Sequence, residues 1–117
     1  GWDQSQANEY LNWPVINSAI LGRYQLSLKL NYDLPLQGSP TGYYRVEFFA
    51  SNNQGETGRL IGYIEETAGT NKLANLKLPG NVKQQYITAT ATMINSFSSG
   101  SRVYGSTSPL SQGLLVK

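Results

Sequence analysis

Side chains capable of chemistry are scarce in this chain, and their spacing rarely brings two of the right kind together. Histidine is absent from its 117 residues, which removes the commonest general base and any Ser–His pairing. Cysteine is absent too, excluding disulfides, thiolate metal ligands and thiol nucleophiles. Serines are frequent, but none stands in the Gly-x-Ser-x-Gly context of a nucleophile elbow, and nothing selects a Ser–Lys dyad. Paired carboxylates hydrolyse glycosides when held roughly 5–9 Å apart across a cleft. Glu65 and Glu66 are neighbours in an extended segment and so point to opposite faces, while Glu47 and Glu56 are isolated. No metal-ligand cluster and no phosphate-cradling glycine loop is present in the pattern. The expectation is a non-enzymatic protein with no catalytic residues, no metal site and no cofactor.

The aromatic residues carry more information. Eight tyrosines, three phenylalanines and two tryptophans make up 11% of the chain, enough to build a stacking surface for a sugar ring or a protein partner. Tyr43 and Phe49 fall on one face of a single alternating stretch, Tyr63 lies on the next such stretch, and Tyr104 lies in a Ser/Gly-rich segment. These four are the candidate ligand-binding residues. The opposing expectation is that a neighbouring domain, a loop or a second sheet covers them. Trp13, beside Pro14, is expected to close the core as a lid. Lys29 is the one lysine weighed for an internal Lys–Asn cross-link. Its outward position on a strand lacks the shielding such chemistry needs.

The element that must position these residues is Tyr43-Tyr44-Arg45-Val46-Glu47-Phe48-Phe49-Ala50. Its alternation sets Tyr44, Val46, Phe48 and Ala50 on one face and Tyr43, Arg45, Glu47 and Phe49 on the other. Arg23 to Tyr32 alternates equally well, with Tyr24, Leu26, Leu28, Leu30 and Tyr32 on the apolar side. Further strands are expected over Trp13–Gly22 (an edge strand opened by Pro14), Arg59–Glu66 with a weak point or bulge at Gly62, Lys72–Leu78, Tyr86–Met93 and Leu110–Lys117. In Tyr86–Met93 the alanines face inward and Thr88, Thr90 and Thr92 outward. Asp33–Gly42 and Asn95–Pro109 read as loops, the second being the longest. No stretch has helical spacing or caps. About seven short strands separated by Gly, Pro and Asn turns predict an all-β, immunoglobulin-like two-sheet β-sandwich with Greek-key connections.

Length and charge narrow the class further. The chain suits one domain, with residues 1–10 as an aperiodic lead-in and residues 11–117 as the sandwich. Net charge is +2, and Lys72, Lys77 and Lys83 are too dispersed to form the stripe that phosphate backbones require, so nucleic acid is not an expected partner. No apolar run approaches the roughly 20 residues of a membrane-spanning helix. The opening Gly1-Trp2-Asp3 reads as the start of a fragment from a longer protein whose secretion signal would lie upstream.

Several segments, taken in order, resemble an immunoglobulin-like repeat module of large bacterial surface and secreted proteins. They are Leu11-Asn12-Trp13-Pro14-Val15-Ile16, Val46-Glu47-Phe48-Phe49-Ala50, Leu60-Ile61-Gly62, Leu78-Pro79, Ile87-Thr88-Ala89-Thr90-Ala91-Thr92 and Thr107-Ser108-Pro109-Leu110-Ser111. The resemblance runs from about Leu11 to Val116. It implies an extracellular or cell-surface spacer or adhesive module whose partners are neighbouring domains of the same polypeptide, with a protein or glycan partner as a further expectation. The rival reading is a carbohydrate-binding module using the exposed aromatics. Where that family carries an Asp-rich segment after the Ala-Thr strand, this chain has Met93-Ile94-Asn95. Its lead-in keeps only Asp3 and Glu9, which argues against calcium between repeats.

Overall fold

The computed structural model describes residues 13–35 and 37–117; the lead-in 1–10, and Leu11 and Asn12 of the first motif, lie outside the described residues. Eight strands are present among them: β1 (Val15–Leu21), β2 (Ser27–Leu34), β3 (Tyr43–Ser51), β4 (Arg59–Thr67), β5 (Gly69–Lys77), β6 (Tyr86–Ser98), β7 (Ser101–Thr107) and β8 (Leu114–Leu115). One sheet has the order β1-β2-β5, the other β4-β3-β6-β7, and β8 pairs with the start of β6. The fold is an all-β sandwich of two packed sheets. The β2–β3, β4–β5 and β5–β6 connections each cross from one sheet to the other.

β3 is central, flanked by β4 and β6, because both its faces have work. Tyr44, Val46, Phe48 and Ala50 are all buried on the inner side, as their period of two requires. Opposite them stand Leu28, Leu30, Tyr32 and Leu34 of β2, equally buried. The Tyr32 ring meets Phe48 edge-on, with centroids 5.6 Å apart and planes at 75°. Small residues set the spacing of the sheets: Ala89 and Ala91 are fully buried, and a Cβ on Gly62 would come within 3.1 Å of the Leu76 side chain across the interface. The strand register slips between Phe48 and Phe49 against Gly62 and Leu60, so the expected irregularity at Gly62 is a bulge.

Four sequence expectations require correction. β2 begins at Ser27 rather than Arg23, and Tyr24 and Leu26 are exposed instead of inward. The cause is a tight turn in which Gly22 N–H donates to Ser27 O at 2.9 Å while Tyr24 and Gln25 take positive φ angles of 64° and 59°. Asn95–Pro109 is not a loop but mostly a hairpin: β6 continues to Ser98 and β7 returns from Ser101, turned at Gly100 with φ of 75°. Ser and Gly there reflect a hairpin without a buried face, not absence of pairing. Trp13 is half-exposed and Pro14 is buried in its place. Thr88, expected outward, is fully buried.

The last strand also differs, and its replacement is instructive. Only Leu114–Leu115 forms β8 where Leu110–Lys117 was expected. Between β7 and β8 the chain lies beside β6, and two serines take over the ladder. Ser108 N–H donates to Ala91 O at 2.8 Å, and Ala91 N–H donates to the Ser108 Oγ at 2.9 Å. Ser111 does the same with Ala89, both bonds being 2.8 Å. Each serine thereby supplies from one residue the donor and acceptor that a paired strand residue would offer, across a stretch where Pro109 has no N–H.

Two predictions follow from this packing. Ser111→Ala leaves the buried Ala89 N–H without its acceptor and is expected to cost about 1–3 kcal/mol in urea unfolding, whereas Ser106→Ala, at an exposed position, stays within about 0.5 kcal/mol. The Tyr32 hydroxyl is buried with no hydrogen-bond partner among the described residues. Burial, with the nearby charge of Glu66 adding to it, pushes its ionisation well above the ordinary tyrosine range. The unfolded chain therefore releases this proton first, near pH ~10. Stability is unaffected by the group below that pH and falls as pH rises past it. Tyr32→Phe is expected to raise the neutral-pH unfolding midpoint by about 1 kcal/mol equivalent, and its advantage over the parent should widen at alkaline pH.

Candidate functional site

The outer face of the β4-β3-β6-β7 sheet gathers most of the candidate residues. Alternation along β3 presents Tyr43, Arg45, Glu47 and Phe49 outward. Antiparallel pairing sets Thr67 beside Tyr43, Glu65 beside Arg45, Tyr63 beside Glu47 and Leu60 beside Phe49. On the other flank β6 supplies Thr92, Thr90 and Thr88 at the same levels. Directly opposed side chains on one face are close enough to interact, so this register already forms a mixed aromatic and charged surface.

The β6–β7 hairpin completes it. Register shifts between Thr92 and Ile94 and again between Ile94 and Ser96 bend the paired strands. The bend brings side chains from beyond it back over the sheet. Phe97 meets Tyr43 edge-on, with centroids 5.9 Å apart and planes at 74°. Arg102 lies 4.7 Å from the Phe97 ring centroid and its Nε is 3.3 Å from the Glu65 carboxylate. Glu65 belongs to β4, at the far side of the sheet from β7, so this ion pair spans the whole outer face. Ile94, within this bent stretch, is fully buried yet lies outside the inter-sheet core.

Arg45 is the hub. Its guanidinium sits 3.6 Å over the Tyr63 ring, and its Nε donates to Glu47 at 3.2 Å. Desolvation works against its charge, but the facing Tyr104 hydroxyl and the Glu47 carboxylate outweigh it and hold the guanidinium above its ordinary ionisation range. Stacking of a planar cation on a ring face and a short carboxylate contact both favour arginine over lysine here. Glu47 and Glu65 are each engaged by an arginine. Glu66 points away, as its neighbour's opposite: Thr67 N–H donates to it at 2.9 Å and, against some desolvation, lowers its ionisation, with Lys72 assisting at 3.6 Å.

Of the four candidate residues, Tyr43, Tyr63 and Tyr104 gather around Arg45, and Tyr104 is on β7 rather than in a loop. Phe49 is not part of the group; it lies half-buried at the other end of β3, between Leu60 and Thr88. One face of Tyr63 is taken by Arg45, and Tyr43 is met by the edge of Phe97. Sequence reasoning did not select Arg45, Arg102 or Phe97 for the site, and it took Glu65 only beside Glu66, as a carboxylate pair that strand geometry parts. Alternation placed Arg45 between two outward aromatics, which was a usable signal, whereas nothing local signals Arg102 reaching Glu65.

A separate cleft of about 110 Å³ lies between Trp13–Ile16 and Gln112–Leu114. This is below the roughly 300 Å³ at which small-molecule sites begin. No group of three His, Asp or Glu residues is placed to hold a metal ion among the described residues. No protein-family model matches the chain, and no curated protein matches it.

If Arg45 organises the face, Arg45→Met is expected to cost about 1 kcal/mol, since partly exposed cation–π and ion pairs each contribute up to about that much. The same change should free the Tyr63 ring, read as a change in its ring-proton chemical shifts in NMR, while the inner Tyr32–Phe48 signals stay fixed.

Proposed function

We propose that this chain is a non-enzymatic structural or adhesive module, immunoglobulin-like in type, within a larger bacterial cell-surface or secreted protein. It spaces or docks neighbouring domains of the same polypeptide. The observation that carries this reading is the Arg45 guanidinium 3.6 Å over the Tyr63 ring. A sugar-stacking platform needs open ring faces, and here one face of Tyr63 is taken by Arg45 while Tyr43 is met edge to face by Phe97. Such a face stiffens the sheet. Strand order β1-β2-β5 against β4-β3-β6-β7 supports the immunoglobulin-like assignment, and the ordered motifs from Leu11 to Ser111 support the bacterial surface or secreted setting.

A carbohydrate-binding module is the second reading, favoured by one fact: Tyr43, Tyr63 and Tyr104 each keep between 42% and 52% of their surface exposed. A glycan array probed with the purified chain, with calcium and again with chelator, separates the two. The expected result is no reproducible hit in either condition. Hits lost in Tyr43→Ala or Tyr63→Ala, with the fold intact by circular dichroism, would replace the spacer reading with the lectin-like one.

A further inference from the structure

The last residue of the chain is hydrogen-bonded to the first strand. Lys117 N–H donates to Ala19 O at 3.0 Å, and Leu21 N–H donates to Lys117 O at 3.1 Å. One residue bonded to two positions on either side of a single partner is the pattern of parallel strands. The chain's last residue therefore runs alongside β1 in the same direction and joins the two sheets at their edge, since β8, just before it, pairs with β6.

Strand register places these ends at opposite poles. Tyr43 pairs with Thr67, Leu34 with Gly69, and Ile16 with Tyr32, so the start of β1 is at the pole where β3 begins. Lys117 sits level with Ile20, about five residues or ~16 Å further along the strand axis, at the pole where Ser51 pairs with Tyr86. Tension applied through both ends pulls β1 toward its start and Lys117 the other way. The hydrogen bonds between them lie across that direction. So do those of β1 with β2, the two serine bridges, and β8 with β6. Bonds so loaded resist together, in shear, whereas strands drawn apart from one end release one pair at a time.

We propose that the domain is a load-bearing element whose Lys117–β1 bridge, backed by the terminal strands, acts as a shear clamp against force along the polypeptide. The proposal rests on the spacer reading, which supplies a chain continuing on both sides.

The absence of cysteine allows pulling points to be chosen freely by single-molecule force spectroscopy. Trp13→Cys combined with a cysteine added after Lys117 loads the clamp in shear. Trp13→Cys combined with Gln37→Cys pulls β1 and β2 from one pole and unzips them. The expected result is a severalfold higher unfolding force for the first pair at equal loading rate. Lys117→Pro removes the N–H that donates to Ala19. It should lower the force of the first pair while leaving that of the second pair unchanged, a loss specific to the shear direction, because forced unfolding follows the barrier rather than the equilibrium. Equal forces for the two geometries, or an unchanged force in Lys117→Pro, would overturn the clamp. Either result with a blank glycan array removes this inference alone; array hits remove the spacer reading whatever the forces are.

Discussion

The structure depends on β3 having two different faces to satisfy at once. Its inner side chains, Tyr44, Val46, Phe48 and Ala50, fill the space between the sheets and are shut from water. Its outer side chains anchor a second, thinner layer through Arg45. A strand buried on one face and solvated on the other would hold its register by the inner face alone. Here a slip of one residue would also place Arg45 and Glu47 in the core, at a desolvation cost of several kcal/mol per charge. Every partner strand inherits its level from this fixed centre.

The inner layer is close-packed by contrast of size. Tyr32, Phe48 and the β2 leucines fill one region, while Ala89, Ala91 and Gly62 let the backbones approach elsewhere. The edge of β6 shows how little regular strand is needed for this. Pro109 rules out a continuous ladder there, yet Ser108 and Ser111 satisfy Ala91 and Ala89 with their own backbone N–H and side-chain oxygen. A buried backbone amide must find an acceptor, and the hydroxyl meets that need without a strand. The Thr-Ser-x-x-Ser pattern thus has a physical role, as a portable substitute for strand pairing.

The outer layer converts residues that suit a binding face into internal contacts. Aromatic rings and arginines are the usual currency of recognition surfaces. On this sheet Arg45 covers Tyr63, Arg102 reaches both Phe97 and Glu65, and Phe97 edges onto Tyr43. The layer joins β7 to β4 across the whole width of the sheet. That distribution of contacts ties together the strands that the inner core holds only from below.

Alternation alone determined the inner faces of β2 from Leu28 onward, of β3 and of the first part of β6, because a period of two leaves an apolar side chain only one face to occupy. It also determined that Glu65 and Glu66 part company, and the turn residues placed most boundaries within a few positions. Tertiary structure decided the rest, for reasons local pattern does not carry. Tyr24 and Leu26 continue the apolar period, yet the turn from Gly22 to Ser27 sets them in solvent. Ser and Gly marked Asn95–Pro109 as loop, but pairing energy comes from a partner strand whatever the composition, and the returning segment supplied one. Tyr43, Tyr63 and Tyr104 were legible as outward aromatics. Whether their faces stay open depended on Arg45 and on a bent hairpin that carries Arg102 to Glu65, 37 residues away in the chain. Such long-range charge contacts are fixed by the bend of two strands, and no periodicity in the sequence encodes it.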